Sequence, residues 1–294
     1  TSTGQITFGA ITISDGKTLT VGAGASTPIS MTTVSGVANG SASNFTINSA
    51  GAVTVSGAIG TDIGTLTITN SGGTTFSGAV SATTVTLTNT TGTIAFNGAL
   101  TATTLNTAAQ AYNVGLNATT GTITNAVTFS NTGTLALGAS GGTLAFTGGI
   151  TATAPSTVTV NGTLTAAGSA VISLGTVSVA SNSTIGGTST GQITLGATTL
   201  VDGVTLTLGT GIANAISLSS VSGTASGSAS NITINTTGAV TASGAIGTDI
   251  GTLTITNSGG ATFNGAVSAA TVAITSTTLN NAVTFNGDLS LTTG

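Results

Sequence analysis

One stretch of this chain is written twice. Ser56–Ala82 and Ser243–Ala269 differ at only two positions, Thr74 against Ala261 and Ser77 against Asn264. The offset, 243 − 56, is 187, and the opening obeys it too: TSTGQITFGA at 1–10 faces TSTGQITLGA at 188–197. Copies this close must build the same local structure twice. Repetition at a fixed period points to a stacked architecture rather than a globule.

A shorter period is nested inside the long one. FSGAVSATTVTL at 76–87 and FNGALTATTLNT at 96–107 begin at an interval of 96 − 76 = 20. The phrase returns as VSGAI at 55–59, FTGGITA at 146–152, VNGTLTA at 160–166, ASGAI at 242–246, FNGAV at 263–267 and FNGDL at 285–289. One interval, 160 − 146 = 14, breaks the rule and implies a shortened coil or a change of register.

Within each unit the pattern alternates. Thr65-Leu66-Thr67-Ile68-Thr69, Thr84-Val85-Thr86-Leu87-Thr88 and Thr205-Leu206-Thr207-Leu208 put apolar residues on one side and Thr on the other. That is the period of a half-buried strand, in residue types that suit strands. Ser71-Gly72-Gly73 and Asn97-Gly98 supply turns, with backbones free to adopt φ > 0. Helix signals are missing, with no Glu, one Lys and 45 Gly. Short strands, corners and a coil of about 20 residues predict an all-β fold, a parallel β-helix or β-solenoid. Short strands around brief corners suggest a triangular cross-section. Residues 1–294 form one continuous solenoid on this reading, with the large repeat over 1–187 and a partial second copy over 188–294. It would hold about 14 coils in a rod about 70 Å long. Phe76, Phe96, Phe263 and Phe285 open the same phrase and are expected to stack as a column inside it.

The phrases TFSGAVSA, AFNGALTA and TVNGTLTA, with Thr-x-Thr strands between them, resemble the passenger repeats of large exported bacterial adhesins of the filamentous-haemagglutinin and autotransporter group. The resemblance spans nearly the whole chain. It implies a right-handed parallel β-helix serving as an extracellular stalk, fibre or adhesin on the bacterial cell surface. The chain departs from that group in charge, which is far scarcer here.

Composition excludes several functions. Only 2% of residues are charged, namely five Asp and Lys17. No basic patch exists to neutralise phosphates, so nucleic acid is not an expected partner. Mean hydropathy is +0.54, yet no run of about 18 apolar residues marks a membrane helix. With one Tyr and no Trp, the aromatic girdles of a transmembrane β-barrel are missing. There is no Cys for a disulfide or thiolate metal site.

Acid–base chemistry has little to draw on. Only Asp15, Asp62, Asp202, Asp249, Asp288, Lys17 and Tyr112 titrate, so no catalytic residue, cofactor or metal is expected. Asp62 in GTDIG, and its copy Asp249, read as turn residues bonding their own backbone. Calcium would demand six to eight oxygens, usually from several carboxylates. Asn-x-Ser/Thr triplets at Asn44, Asn89, Asn117, Asn161, Asn182 and Asn231 are candidate glycan acceptors.

Three functions follow as expectations. The first is a structural fibre that self-associates end to end or side by side, or is flanked by more repeats of a longer array. The absence of a charged cap at either terminus favours this. The second is an adhesin segment binding host or neighbouring-cell surfaces. The third is an ice-binding Thr ladder, against which the motif's interruption at 106–118 and 166–182 counts.

Overall fold

The computed structural model describes residues 4–23, 26–278 and 281–292. Among these the chain is all-β, a β-solenoid of about 13 turns with roughly 21 residues per turn. Each turn contributes a strand segment to each of three parallel faces, and four long strands, Val80–Leu87, Leu100–Thr107, Thr157–Ala166 and Val177–Gly187, each serve two faces. Face 1 begins with Ile6–Thr7, Ile29–Met31 and Val53–Val55. Face 2 begins with Ile11–Ile13, Val34–Gly36 and Ile59–Gly60. Face 3 begins with Thr18–Val21, Ser43–Asn48 and Ile63–Asn70. At about 4.8 Å per turn, 13 turns make a rod about 62 Å long. That is a turn shorter than the sequence implied, because corners lengthen many coils.

Every strand hydrogen-bonds only to the coil above and the coil below, in parallel register. On face 1 the inward column runs Ile6, Ile29, Val53, Thr74, Ile94, Val114, and onward to Val267 and Leu289. Between the first and last coils the inward residues are buried and their neighbours half-exposed or exposed, as in Thr157–Ala166, which alternates throughout, whereas Ile6 is half-buried and Leu289 exposed. One apolar cluster runs from Ile13 to Ala269. Each fully buried Val, Leu, Ile or Phe contributes about 1.5–3 kcal/mol, so stability is distributed along the whole rod.

The long repeat is not a whole number of turns. Ile6 lies on face 1, and eight column steps later that face reaches Val177. The chain then passes through Ile185 on face 2 before Ile193, the copy of Ile6, arrives on face 3. One long repeat therefore spans eight turns and two further faces. The second copy keeps its strand boundaries (Ser43–Asn48 becomes Ser230–Asn235, Ile63–Asn70 becomes Ile250–Asn257) while moving each strand to another face. The three faces are locally equivalent, so the same sequence fits any of them.

This phase explains the interval of 14 between two copies of the phrase. Phe146 ends a strand of face 2 and Val160 ends a segment of face 1. The phrase has moved to another corner, two-thirds of a turn on, and no coil is shortened.

The phrase itself marks a stacked corner. After the inward Phe, Gly78 sits on Gly57 and Gly98 sits on Gly78 so closely that any Cβ would overlap the backbone beneath. Gly265 on Gly244 and Gly287 on Gly265 repeat this between faces 3 and 1. Gly98 is thus required by close approach and not by a left-handed backbone. The same holds for Gly72, whose Cβ would meet the Ala50 carbonyl at 2.6 Å, whereas Gly73 does adopt φ 119°.

Candidate functional surface

The four Phe form two pairs rather than one column. Phe76 and Phe96 stack on face 1 with centroids 4.8 Å apart, and Phe263 and Phe285 stack on face 3 at 5.1 Å. The phase of the long repeat separates the pairs. Phe129 and Phe146 meet edge to face at 6.4 Å across the interior. The first three of the four Phe are fully buried, and Phe285 packs against the core partly exposed.

A second inward motif was not singled out from the sequence, although its spacing, Ser/Thr-x-Gly, is legible. At the corner between faces 3 and 1, the hydroxyls of Ser49, Ser71 and Thr90 accept the N–H of Gly51, Gly73 and Gly92 at 3.1, 3.3 and 3.3 Å. Thr90 also donates to the Ser71 carbonyl at 2.6 Å. In the second copy Ser189 and Thr236 do the same for Gly191 and Gly238, each at 2.9 Å. These bonds satisfy corner backbone groups that would otherwise be buried unpaired. Tyr112 interrupts this file. Its hydroxyl donates to the Leu87 carbonyl at 2.9 Å and accepts the Ala108 N–H at 3.0 Å. Burial pushes its phenol above the ordinary range, and the bonds to Ala108 and Thr107 offset part of that.

Asp62 and Asp249 stand in turns, and their backbones carry the bend. Thr61 and Asp62 both adopt positive φ, 48° and 59°, as do Thr248 and Asp249 at 53° and 56°. Their carbonyls tie the corner to the preceding coil: Thr61 accepts from Gly36 at 2.8 Å and Asp62 from Ser43 at 2.9 Å. The Oδ2 atoms of both Asp are buried with no hydrogen-bond partner, so the expected bond to their own backbone is not made by that oxygen. Asp62 borders a shallow groove of about 340 Å³ whose other lining includes Ser81, Thr83, Thr101, Thr103 and Thr124. It brings one carboxylate among hydroxyls. Among the described residues no three His, Cys, Asp or Glu come together.

The most regular surface is face 3. Its outward file begins Thr20, Thr46, Thr67, Thr86 and Asn106, each the direct partner of the next. It resumes as Thr128, Thr151, Ser173, Thr194, Ser217, Thr241, Thr262 and Thr284, again partner to partner. The two runs join where the Thr107 hydroxyl donates to the Thr128 carbonyl at 3.2 Å and accepts the Ser130 N–H at 2.7 Å. A second file, Thr18, Asn44, Thr65, Thr84 and Thr104, flanks the first five rungs. The second copy carries its equivalent on face 2, where Thr205 and Thr207 pair with Asn231 and Thr233, then with Thr252 and Thr254.

The interruptions seen in the sequence are therefore excursions around the rod. Residues 106–118 turn the corner onto face 1, and 166–182 cross face 3 at Ser173, within the file. On face 1 the outward file is broken: Thr54 and Thr75 give way to Ala95, Gly115 and Ala136, it resumes as Thr159, Ser178, Thr199 and Ser222, and Gly247 breaks it again. Of the candidate glycan acceptors, Asn89, Asn117 and Asn182 are exposed, and Asn44, Asn161 and Asn231 are half-buried.

Compared with known proteins, the chain matches no family model, no curated protein and no solved structure.

Proposed function

We propose that this chain is a segment of an extracellular structural fibre or stalk of a repetitive bacterial surface protein, with no catalytic role. Its partners are further copies of itself or flanking repeats, joined end to end or side by side. The extracellular bacterial placement rests on the resemblance of its repeat phrases to exported adhesins. The observation that supports a fibre is the phase of the long repeat. The core runs from one copy into the next without a break, although the copy enters on a different face. Such units add without limit, because no step in the stack requires a special partner.

The same phase governs lateral contacts. Each new unit turns its surface to another face, and three units, 3 × 8⅔ = 26 turns, return to the first. Any lateral contact surface is thereby presented around the whole rod. With 2% charged residues, neighbouring rods meet little electrostatic repulsion.

Electron microscopy of the chain beside a version lengthened by one further copy of the long repeat tests this. The rod is expected to lengthen by about 42 Å, eight and two-thirds turns at about 4.8 Å each. Compact particles of either chain would refute a fibre segment.

A further inference from the structure

We propose that face 3 binds ice. Over its first five rungs the face presents two files of hydroxyls, interrupted only by Asn44 and Asn106, as a two-dimensional lattice, and one file continues beyond them. Rungs repeat at the strand spacing of about 4.8 Å, and the two files stand two positions apart along the strand, about 6.8 Å. Thr at these positions is stiff about χ1, so the hydroxyls and methyls are ordered before any ligand arrives. Pre-ordering removes a cost that flexible surfaces meet on binding. No charged residue stands in either file.

The shape of the array selects its ligand. An outward-facing sheet has no concavity to enclose a small molecule, which needs a cleft. What it suits is an extended surface with its own repeat, where many weak contacts form at once. Two such surfaces are crystalline water and crystalline polysaccharide. Sugar rings are commonly held by exposed aromatic side chains, and neither file holds one: Phe45, Phe76, Phe96, Phe129, Phe146 and Phe263 are buried, Phe285 packs against the core, and the partly exposed Phe8 follows the first strand of face 1. Hydroxyls and methyls in register, without rings, suit water. The array is also built twice, on face 3 in the first copy and on face 2 in the second.

The test is the freezing behaviour of the full chain. A thermal-hysteresis gap with faceted ice crystals is expected. Thr46→Lys with Thr67→Lys, on the second and third rungs where both files run, is expected to reduce the gap several-fold. Thr54→Lys with Thr75→Lys, outward on face 1, is expected to leave it unchanged, and circular dichroism verifies that both variants stay folded. The proposal is overturned if the wild-type chain shows no gap and no shaping. Equal loss in the face 1 variant overturns it as well. So does retention on crystalline cellulose with unshaped ice, which would reassign the face to polysaccharide.

Discussion

Phe76 and Phe263 hold the same place in the long repeat, yet they stand on different faces: Phe76 stacks on Phe96 on face 1, and Phe263 on Phe285 on face 3. Local sequence fixes the strand, its inward residue and the glycine corner after it. It does not fix which face the strand occupies, because the coils beneath decide that. A repeat of eight turns and two faces is tolerated because each face offers the same parallel edge and the same width of apolar interior.

The two differences within the duplicated stretch lead to a stability prediction. Thr74 points inward on face 1, and its Oγ1 is buried without a partner. Its counterpart Ala261 has no hydroxyl to satisfy. A buried unpaired hydroxyl costs about 1–3 kcal/mol. Thr74→Val keeps the shape and removes the group, so denaturant unfolding should show a gain of about 1 kcal/mol. A loss of stability would mean the hydroxyl has a role not visible in its contacts. The other difference, Ser77 against Asn264, gives the second copy an Asn step, since Asn286 donates to Asn264 at 2.8 Å. Asn117 and Asn97 make the same step at 3.0 Å in the first copy.

The stacked corner is sensitive to a single methyl group. Gly78→Ala places a Cβ against the backbone of Gly57 and Ala58, and backbone cannot yield as a flexible side chain does. Overpacking of this kind costs about 3 kcal/mol. Gly9→Ala, where nothing lies within 4 Å, is expected to change stability by less than about 0.5 kcal/mol. Equal midpoints for the two variants in denaturant would contradict the stacked-glycine corner.

Much of this was legible in the residues. Alternation in Thr65–Ile68 and Thr84–Leu87 marked the strands, and the recurrence of Phe-Ser/Asn-Gly-Ala marked the coil. What could not be read was anything that depends on counting corners. Corner lengths vary, so the step between consecutive partners on face 1 ranges from 177 − 158 = 19 (Val158 to Val177) to 246 − 221 = 25 (Val221 to Ile246). Small differences accumulate until the copy lands two faces along. That hid both the division of the Phe into two pairs and the continuity of the face 3 file. The Asp62 corner illustrates another limit. A turn was legible in GTDIG, but two successive non-glycine residues at positive φ are uncommon, and only the carbonyl bonds to the coil before account for them.

Tyr112 gives the rod a dependence on alkaline pH. Its folded value lies above the ordinary 10.0, chiefly through burial. Well below the ordinary value the phenol is neutral in both the folded and the unfolded chain, so its contribution is fully present. Above that, the unfolded phenol ionises first and stability falls as pH rises through the folded value. Thermal unfolding should therefore move to lower temperature as pH rises from the ordinary value of 10.0 through the higher folded value. With one Tyr and no Trp, tyrosinate absorbance reports this residue alone. Titration at the ordinary value in the folded protein would contradict its burial.

The phase of the long repeat is tested most directly by labelling, since the chain has no Cys of its own. Ser173→Cys with Thr194→Cys places two pyrene groups on adjoining rungs of face 3, where these residues are direct partners. Ser178→Cys with Thr194→Cys places one on face 1 and one on face 3. Strong excimer fluorescence from the first pair and monomer emission from the second is the expected result. Excimer emission from the second pair alone would put Thr194 on the face of Thr7, make the long repeat a whole number of turns, and contradict the account.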